Sequence, residues 1–446
     1  MHAFVGLLFG MFAIGVMQLI LATAMPFIVQ EIGGSELYSW VFSSYMLASI
    51  AAIPLFSKLA DIYGKRRFYI LGMMVFALGS LYGALASTMP HLIGARVIQG
   101  FGAGIITPVS MAMVTDMFPP EKRGNMIGMF SFVQLLANLL SPPLGSFITK
   151  ELGWTWIFLL NLGMVFFSVT LVALARGTQK SKLDLKLKEV DIFGGLLFGG
   201  FCLLAVLLSN KVSAQAGESS LSLLNSGSFL LLAAWILAGV LLFYNEKRQK
   251  NPIIKTEFFK VKILRRSLIS AVLAGAIMYG LVTILPLCGV ILNQLGYQLN
   301  ESRVLLFFMV GITLGLLAGS RLSKLRLSQA PRYLWVALSL SSILLLYSIQ
   351  AENIIGFSLF SIMTGLSTGG IMATFLINSQ NAVQSEDRTV LSGLVQLGRY
   401  FGASVGITLL VGMLPEVGAI SGIDQFLGTF VVLVALSITG LINELI

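Results

Sequence analysis

Apolar runs of nearly equal length follow one another along almost the whole chain, and few folds accept that pattern. A bilayer core about 30 Å thick takes roughly 20 residues of α-helix, because every backbone N–H and C=O must find its partner inside the segment. Such runs are read near residues 4–29, 38–60, 68–87, 90–115, 124–148, 155–175, 190–209, 226–244, 267–292, 302–321, 332–349, 354–380, 388–413 and 424–443. The expectation is an all-α membrane protein with fourteen transmembrane helices. Only 11% of the 446 residues are charged and 57% are hydrophobic, whereas a soluble domain carries about a quarter charged residues. The run from Phe4 to about Val29 is too long for a signal-peptide core and lacks a small-residue cleavage site behind a basic segment, so it is expected to be a membrane helix. Cys202 and Cys288 both fall in apolar runs, which predicts neither a disulfide framework nor a metal site.

The net charge of +10 does not by itself imply a nucleic-acid partner, because in a membrane chain charge has first to be placed by loop. With the N-terminus on the cytoplasmic side, 24 of the 29 Lys and Arg fall in inside segments. Lys150, Lys211 and Arg303 fall outside, while Arg96 and Arg399 lie within runs. Positive residues are retained on the cytoplasmic side, so the asymmetry predicts a multi-pass protein of the plasma membrane with both termini cytoplasmic. Two loops, Lys180 to Lys188 and Lys247 to Arg266, are the most basic and are expected to rest on anionic membrane lipids.

An offset of 265 residues pairs Gly100 with Gly365, Gly104 with Gly369, Glu121 with Glu386, Arg123 with Arg388 and Gly128 with Gly393. Matches at one offset and in like topological positions argue for a duplicated unit. Because both copies face the same way, they predict two six-helix parallel repeats with a solute path between them. The expected organisation is an N-terminal bundle over 1–177, an insert over 178–266 with two additional transmembrane helices and basic cytoplasmic loops, and a C-terminal bundle over 267–446.

Between the second and third runs the chain reads Ser57-Lys58-Leu59-Ala60-Asp61-Ile62-Tyr63-Gly64-Lys65-Arg66-Arg67. Asp61 can accept from helix-end N–H groups and pair with cations, Gly64 permits a tight turn, and the three basic residues hold the loop at the inner headgroups. This resembles the signature loop of the major facilitator superfamily, G-x-L-A-D-R-x-G-R-R, with Ser57 and Ile62 as departures. A conformational latch is expected of Asp61, Gly64, Lys65, Arg66 and Arg67, joined by Asp116 at the inner end of the fourth run. Arg96-Val97-Ile98-Gln99-Gly100 resembles the R-x-x-Q-G helix of that superfamily, and Ala137 to Ser146 its exporter-associated G-x-x-x-G-P-x-x-G-G stretch. Close helix packing is expected at Gly100, Gly104, Pro142, Gly145, Gly402 and Gly406. Trp40, Tyr45, Trp154 to Phe158 with Asn161, Asp191 to Gly194, and Arg399 to Gly402 extend the similarity to the fourteen-spanner drug:proton antiporter family. That resemblance implies multidrug efflux driven by the proton gradient, and antibiotic resistance as a consequence.

One departure concerns charge. The family's first helix carries an aspartate nine residues before a proline, whereas counting back from Pro26 gives Met17, beside the neutral Gln18. All 19 Asp and Glu fall in loops or at helix ends. The expected cavity lining is therefore Gln18, Tyr45, Arg96, Gln99, Gln134, Asn138, Asn161 and Arg399, a set suited to anionic, zwitterionic or neutral amphiphiles. No P-loop, Ser-His-Asp set or metal-ligand cluster is read, so the chain is expected to be neither an enzyme nor a primary pump and to take no cofactor. The leading expectation is a monomeric secondary transporter exporting small amphipathic substrates by alternating access, with protons as partner. An uncoupled or anion/lipid carrier on the same fold and a non-transporting membrane interaction protein are the alternatives.

Overall fold

The computed structural model describes residues 2–175, 191–214, 226–249, 256–297, 299–324, 329–351, 353–383, 388–415, 420 and 422–445. Fourteen helices follow in order: α1 (His2–Ile32), α2 (Tyr38–Tyr63), α3 (Lys65–Ala84), α4 (Met89–Met117), α5 (Pro120–Glu151), α6 (Thr155–Leu174), α7 (Ile192–Ala214), α8 (Ser226–Arg248), α9 (Lys262–Gln294), α10 (Glu301–Lys324), α11 (Ala330–Gln350), α12 (Ile354–Asn381), α13 (Arg388–Val411) and α14 (Leu427–Leu445). All fourteen are long and apolar enough to cross a membrane, and no strand occurs among the described residues. Several helices outrun the apolar stretch that announced them. For α5 and α9 the apolar run marks only the part that must leave water, while backbone hydrogen bonding carries the helix on into its polar ends. Starts are fixed by side chains where the sequence supplies a cap: Thr88 accepts from the His91 N–H at 3.4 Å, and Asn353 from the Gly356 N–H at 3.0 Å.

The chain divides into two compact units, Met1–Leu203 with Ile236–Ile253, and Leu204–Trp235 with Ile254–Ile446. Each inserted helix, α7 and α8, therefore contributes to both units. In the first unit α2 and α3 pack on α4, α1 packs on α5 and α6, and α3 on α6. The second unit repeats the scheme with α10 and α11 on α12, α9 on α13 and α14, and α11 on α14.

Glycine sets the closeness of these contacts, and the 265-residue offset recurs in them. A Cβ on Gly104 would stand 2.7 Å from the Ser49 carbonyl oxygen of α2, and one on Gly100 would fall on the Tyr45 carbonyl. Their counterparts Gly365 and Gly369 lie in the same way on the α10 carbonyls of Phe308 and Ile312. Gly145 of α5 packs on Thr23 and Ile20 of α1, whereas Gly402 and Gly406 of α13 pack on Val272 and Ala276 of α9. Backbone contact of this kind needs residues without a side chain, because helices in a bilayer associate by packing rather than by hydrophobic exclusion. Pro142 lies inside α5 beside Pro143, one turn from Ala137 and Asn138. The loop segments Lys180 to Lys188, Lys250, Lys255 and Glu386 lie outside the described residues, as do the side chains of Glu121, Arg123 and Arg388.

Candidate functional site

Gly64 makes the turn between α2 and α3 with φ of 107°, a conformation that L side chains resist. The turn lets α3 begin at once on Lys65. Its ammonium lies 2.8 Å from Asp116 Oδ2 at the end of α4 and 3.5 Å from Asp61 Oδ1 on the last turns of α2. Arg66 donates to the Ala173 carbonyl at the end of α6, while Arg67 is exposed. The expected latch residues Asp61, Lys65 and Asp116 thus come together and join three helix ends within the first unit. Burial raises the Asp61 carboxyl above the ordinary carboxylate range, Lys65 opposes that rise, and Asp116 adds to it. Partly exposed ion pairs contribute about 1 kcal/mol or less, so this group adds little to stability and instead fixes the mutual position of the helix ends.

Deeper in the same unit, Arg96 of α4 has no exposed surface. Its Nε donates to the Val41 carbonyl at 3.2 Å, and its Nη1 to Gln99 Oε1 at 2.8 Å and to the Met17 carbonyl at 3.5 Å. The guanidinium carbon sits 4.2 Å from the centre of the Tyr45 ring. A chain of neutral groups continues from there. Gln99 Nε2 donates to Ser80 Oγ of α3 at 2.9 Å, Ser80 faces Asn161 Oδ1 of α6 at 3.2 Å, and Asn161 Nδ2 donates to the Ala13 carbonyl of α1 at 3.1 Å. Four helices are crossed by one hydrogen-bonded line. In an apolar interior each unmade bond in such a line costs the desolvation of its group, so the line holds the helices in one register.

The remaining expected cavity residues are placed differently. Gln18 is buried in α1 with its amide 3.8 Å from the Met46 sulfur of α2. Gln134 donates to Asn138 Oδ1 at 3.1 Å one turn along α5. Arg399, near the midpoint of α13 in the second unit, is half-buried and donates from Nη2 to Gln396 Oε1 on its own helix. Its guanidinium carbon lies 5.8 Å from the Tyr400 ring. Among the described residues Arg399 has no carboxylate partner.

The family profile of the Major Facilitator Superfamily matches residues 7–407. The chain belongs to this superfamily. A Bacillus subtilis relative named "Multidrug resistance protein 3" is 28% identical over 409 residues, covering 91% of this chain and 77% of that one. Another from the same organism, "Multidrug transporter protein MdtP", is 26% identical over 412 residues, covering 91% and 73%. In fold the chain is similar to the crystal structure of peptide transporter POT in complex with sulfate, with a TM-score of 0.72, 17% identity and coverage of 99% of this chain and 94% of that one. The protein is accordingly a multi-pass membrane transporter of small substrates and not an enzyme.

Superfamily motifs led to Arg96, Gln99 and Asn161 but not to the residues that join them. Ser80 bridges Gln99 and Asn161, and Tyr69 hydroxyl lies 2.7 Å from Ser168 Oγ, which donates to the Gly6 carbonyl at 2.7 Å. A lone serine in an apolar helix gives no signal, since it usually bonds back to its own helix. In a second cluster the residues stood in motifs already quoted, but nothing in the sequence joined them. Asp191 caps α7 by accepting from the Gly194 N–H at 2.8 Å and accepts from Asn245 of α8 at 2.9 Å. Lys58 of α2 lies within electrostatic reach of Asp191 and Glu246, and burial lowers its ammonium pKa against their pull. The inserted helices are thereby tied to the signature loop, and Ser209 of α7 donates to Thr408 of α13 at 2.9 Å in the second unit.

Proposed function

We propose that this superfamily member exports small amphipathic, drug-like or lipophilic solutes across the plasma membrane by alternating access, with protons as the driving partner. The observation that carries the reading is the match over 91% of the chain to relatives named for multidrug resistance and multidrug transport. The helix-end group supports it physically. Contacts each contributing about 1 kcal/mol or less, as between Lys65, Asp61 and Asp116, can break and re-form in every cycle. Asp61, with its raised proton affinity, is the proposed proton-responsive member. In this reading the protein works as a monomer with both termini cytoplasmic. Its basic segments lie on anionic lipid, and Lys247 and Arg248 over the rings of Phe243 and Tyr244, at 4.6 and 4.8 Å, suit an interfacial position. An uncoupled carrier is the second reading, favoured because no Asp or Glu stands in the middle of any apolar run.

Purified protein in proteoliposomes separates the two. Export predicts movement of a fluorescent neutral amphiphile against its gradient when a pH gradient is imposed, abolished by a protonophore. Downhill flux indifferent to the pH gradient supports the uncoupled carrier, and no flux discards both.

A further inference from the structure

Repeat symmetry puts the two membrane-embedded arginines at different register positions. The offset of 265 carries Arg96 and Gln99 onto Ser361 and Thr364, and Gln134 onto Arg399. At the first pair the second unit needs no charge: Ser361 donates to the Phe357 carbonyl at 2.7 Å, and Thr364 faces Ser341 Oγ at 3.2 Å and donates to the Phe360 carbonyl at 2.8 Å. At the other position the first unit has an amide satisfied by Asn138, whereas the second has a guanidinium.

A guanidinium offers five N–H donors. Arg96 makes three hydrogen bonds, to Val41, Met17 and Gln99, inside a sealed interior, and its Nη2 is enclosed there without a partner. Among the described residues Arg399 makes one, to Gln396, and its Nε is enclosed without a hydrogen-bond partner. The backbone carrying Arg399 is held rigidly, because Gly275 of α9 packs on the Arg399 carbonyl and Gly402, one turn on, packs on that of Val272. A cation fixed at mid-span, half-open and with unused in-plane donors, matches the two-oxygen edge of a planar or tetrahedral anion. It repels a permanent cation brought to the same place.

We propose that Arg399 is the headgroup contact for an amphipathic anion of the sulfonate or carboxylate class, and that it sets the charge preference of the exporter. The inference rests on the export reading above, which it deepens by naming the substrate class. Gln396 acts as the neutral orienting partner, holding Nη2 so that Nη1, at the half-open end of the guanidinium, remains for the ligand.

Three dansyl probes with the same alkyl chain, ending in a sulfonate, a primary sulfonamide or a trimethylammonium group, test it by fluorescence titration of the purified full-length protein. The unaltered protein is expected to bind the sulfonate at least about tenfold more tightly than the ammonium. Arg399→Gln is expected to weaken the sulfonate about tenfold or more while the sulfonamide stays within about twofold, and Arg399→Lys to fall between. Gln396→Glu supplies a neighbouring carboxylate without deleting the arginine and should also weaken the sulfonate selectively, so the question survives if Arg399→Gln does not fold. Equal losses for sulfonate and sulfonamide, unchanged sulfonate affinity in both variants, or preferred ammonium binding overturns the proposal. Sulfonamide flux in proteoliposomes reports the export reading separately: its absence from the unaltered protein defeats export, while the binding ratios still decide Arg399.

Discussion

Arg96 and Arg399 are the same residue in comparable apolar surroundings, one in each unit, and the structure treats them in opposite ways. Around Arg96 the first unit converges with two carbonyls, an amide and an aromatic face, so the charge is wholly enclosed and bonded to three other groups, with Nη2 left without a partner. Around Arg399 the second unit supplies one amide from the same helix and a distant ring. An arginine in a membrane is therefore not one kind of evidence. The first is a strut linking α4 to α1 and α2, and through Gln99 it continues to α3 and α6. The second is half-open and bonded only within its own helix among the described residues, and a group must be reachable to exchange partners with a substrate.

The largest effect should come from removing the strut. Arg96→Ala deletes hydrogen bonds to a charged group and opens a cavity in a dry interior, for an expected loss of about 2–5 kcal/mol. Arg399→Gln should change stability by about 1 kcal/mol or less. Thermal unfolding of both variants in detergent measures this, and comparable losses at the two positions would erase the contrast.

Next come the glycines beside Arg399. Gly402→Ala places a methyl on the Val272 carbonyl at the α9–α13 contact and is expected to cost about 1–3 kcal/mol. Gly393→Ala meets nothing within 4 Å and should be neutral or stabilising by up to about 1 kcal/mol, since glycine is a poor helix former. If Gly402→Ala is as well tolerated as Gly393→Ala in the same assay, the backbone under Arg399 is not rigid.

The smallest effects belong to the helix-end group. Asp61→Asn and Arg66→Ala should slow turnover several-fold while leaving substrate affinity within about twofold, because the contact biases the conformational equilibrium without touching ligand. Flux and binding measured on the same preparation distinguish the two. Burial raises the Asp61 pKa, so the folded form holds its proton more tightly than the unfolded chain. Its contribution to stability is accordingly most favourable below the ordinary aspartate value near 4 and declines as pH rises through the interval between that value and the raised one. Asp61→Asn should flatten this part of the pH–stability curve; an unchanged slope would show that Asp61 does not titrate there.

Fourteen helices, their order and the duplication were legible because apolar length and register are periodic properties that a single sequence displays. The signature loop was legible too: Gly64, Lys65 and Asp61 are neighbours in the chain, and a glycine between a helix end and a basic run announces its turn. Asp116 was placed with them by its position at the inner end of a span. Ser80, Tyr69 and Ser168 gave no signal, since each is a single polar residue in an apolar helix whose partner lies on another helix. Lys58 stood in the signature loop, but its partnership with Asp191 and Glu246 at the inserted helices, more than a hundred residues away, was not readable.

The sequence by itself determined that this chain spans a membrane fourteen times, that it carries a repeated unit, and that its mid-span charges are arginines without carboxylates. Those are properties of length, spacing and residue type, and they hold whatever the helices pack against. Which arginine is enclosed among other helices and which is half-open was decided by tertiary structure alone. It depends on whether carbonyls and amides of other helices converge within about 3 Å of a guanidinium, and hydrogen bonds fall off too steeply with distance for any linear pattern to report that.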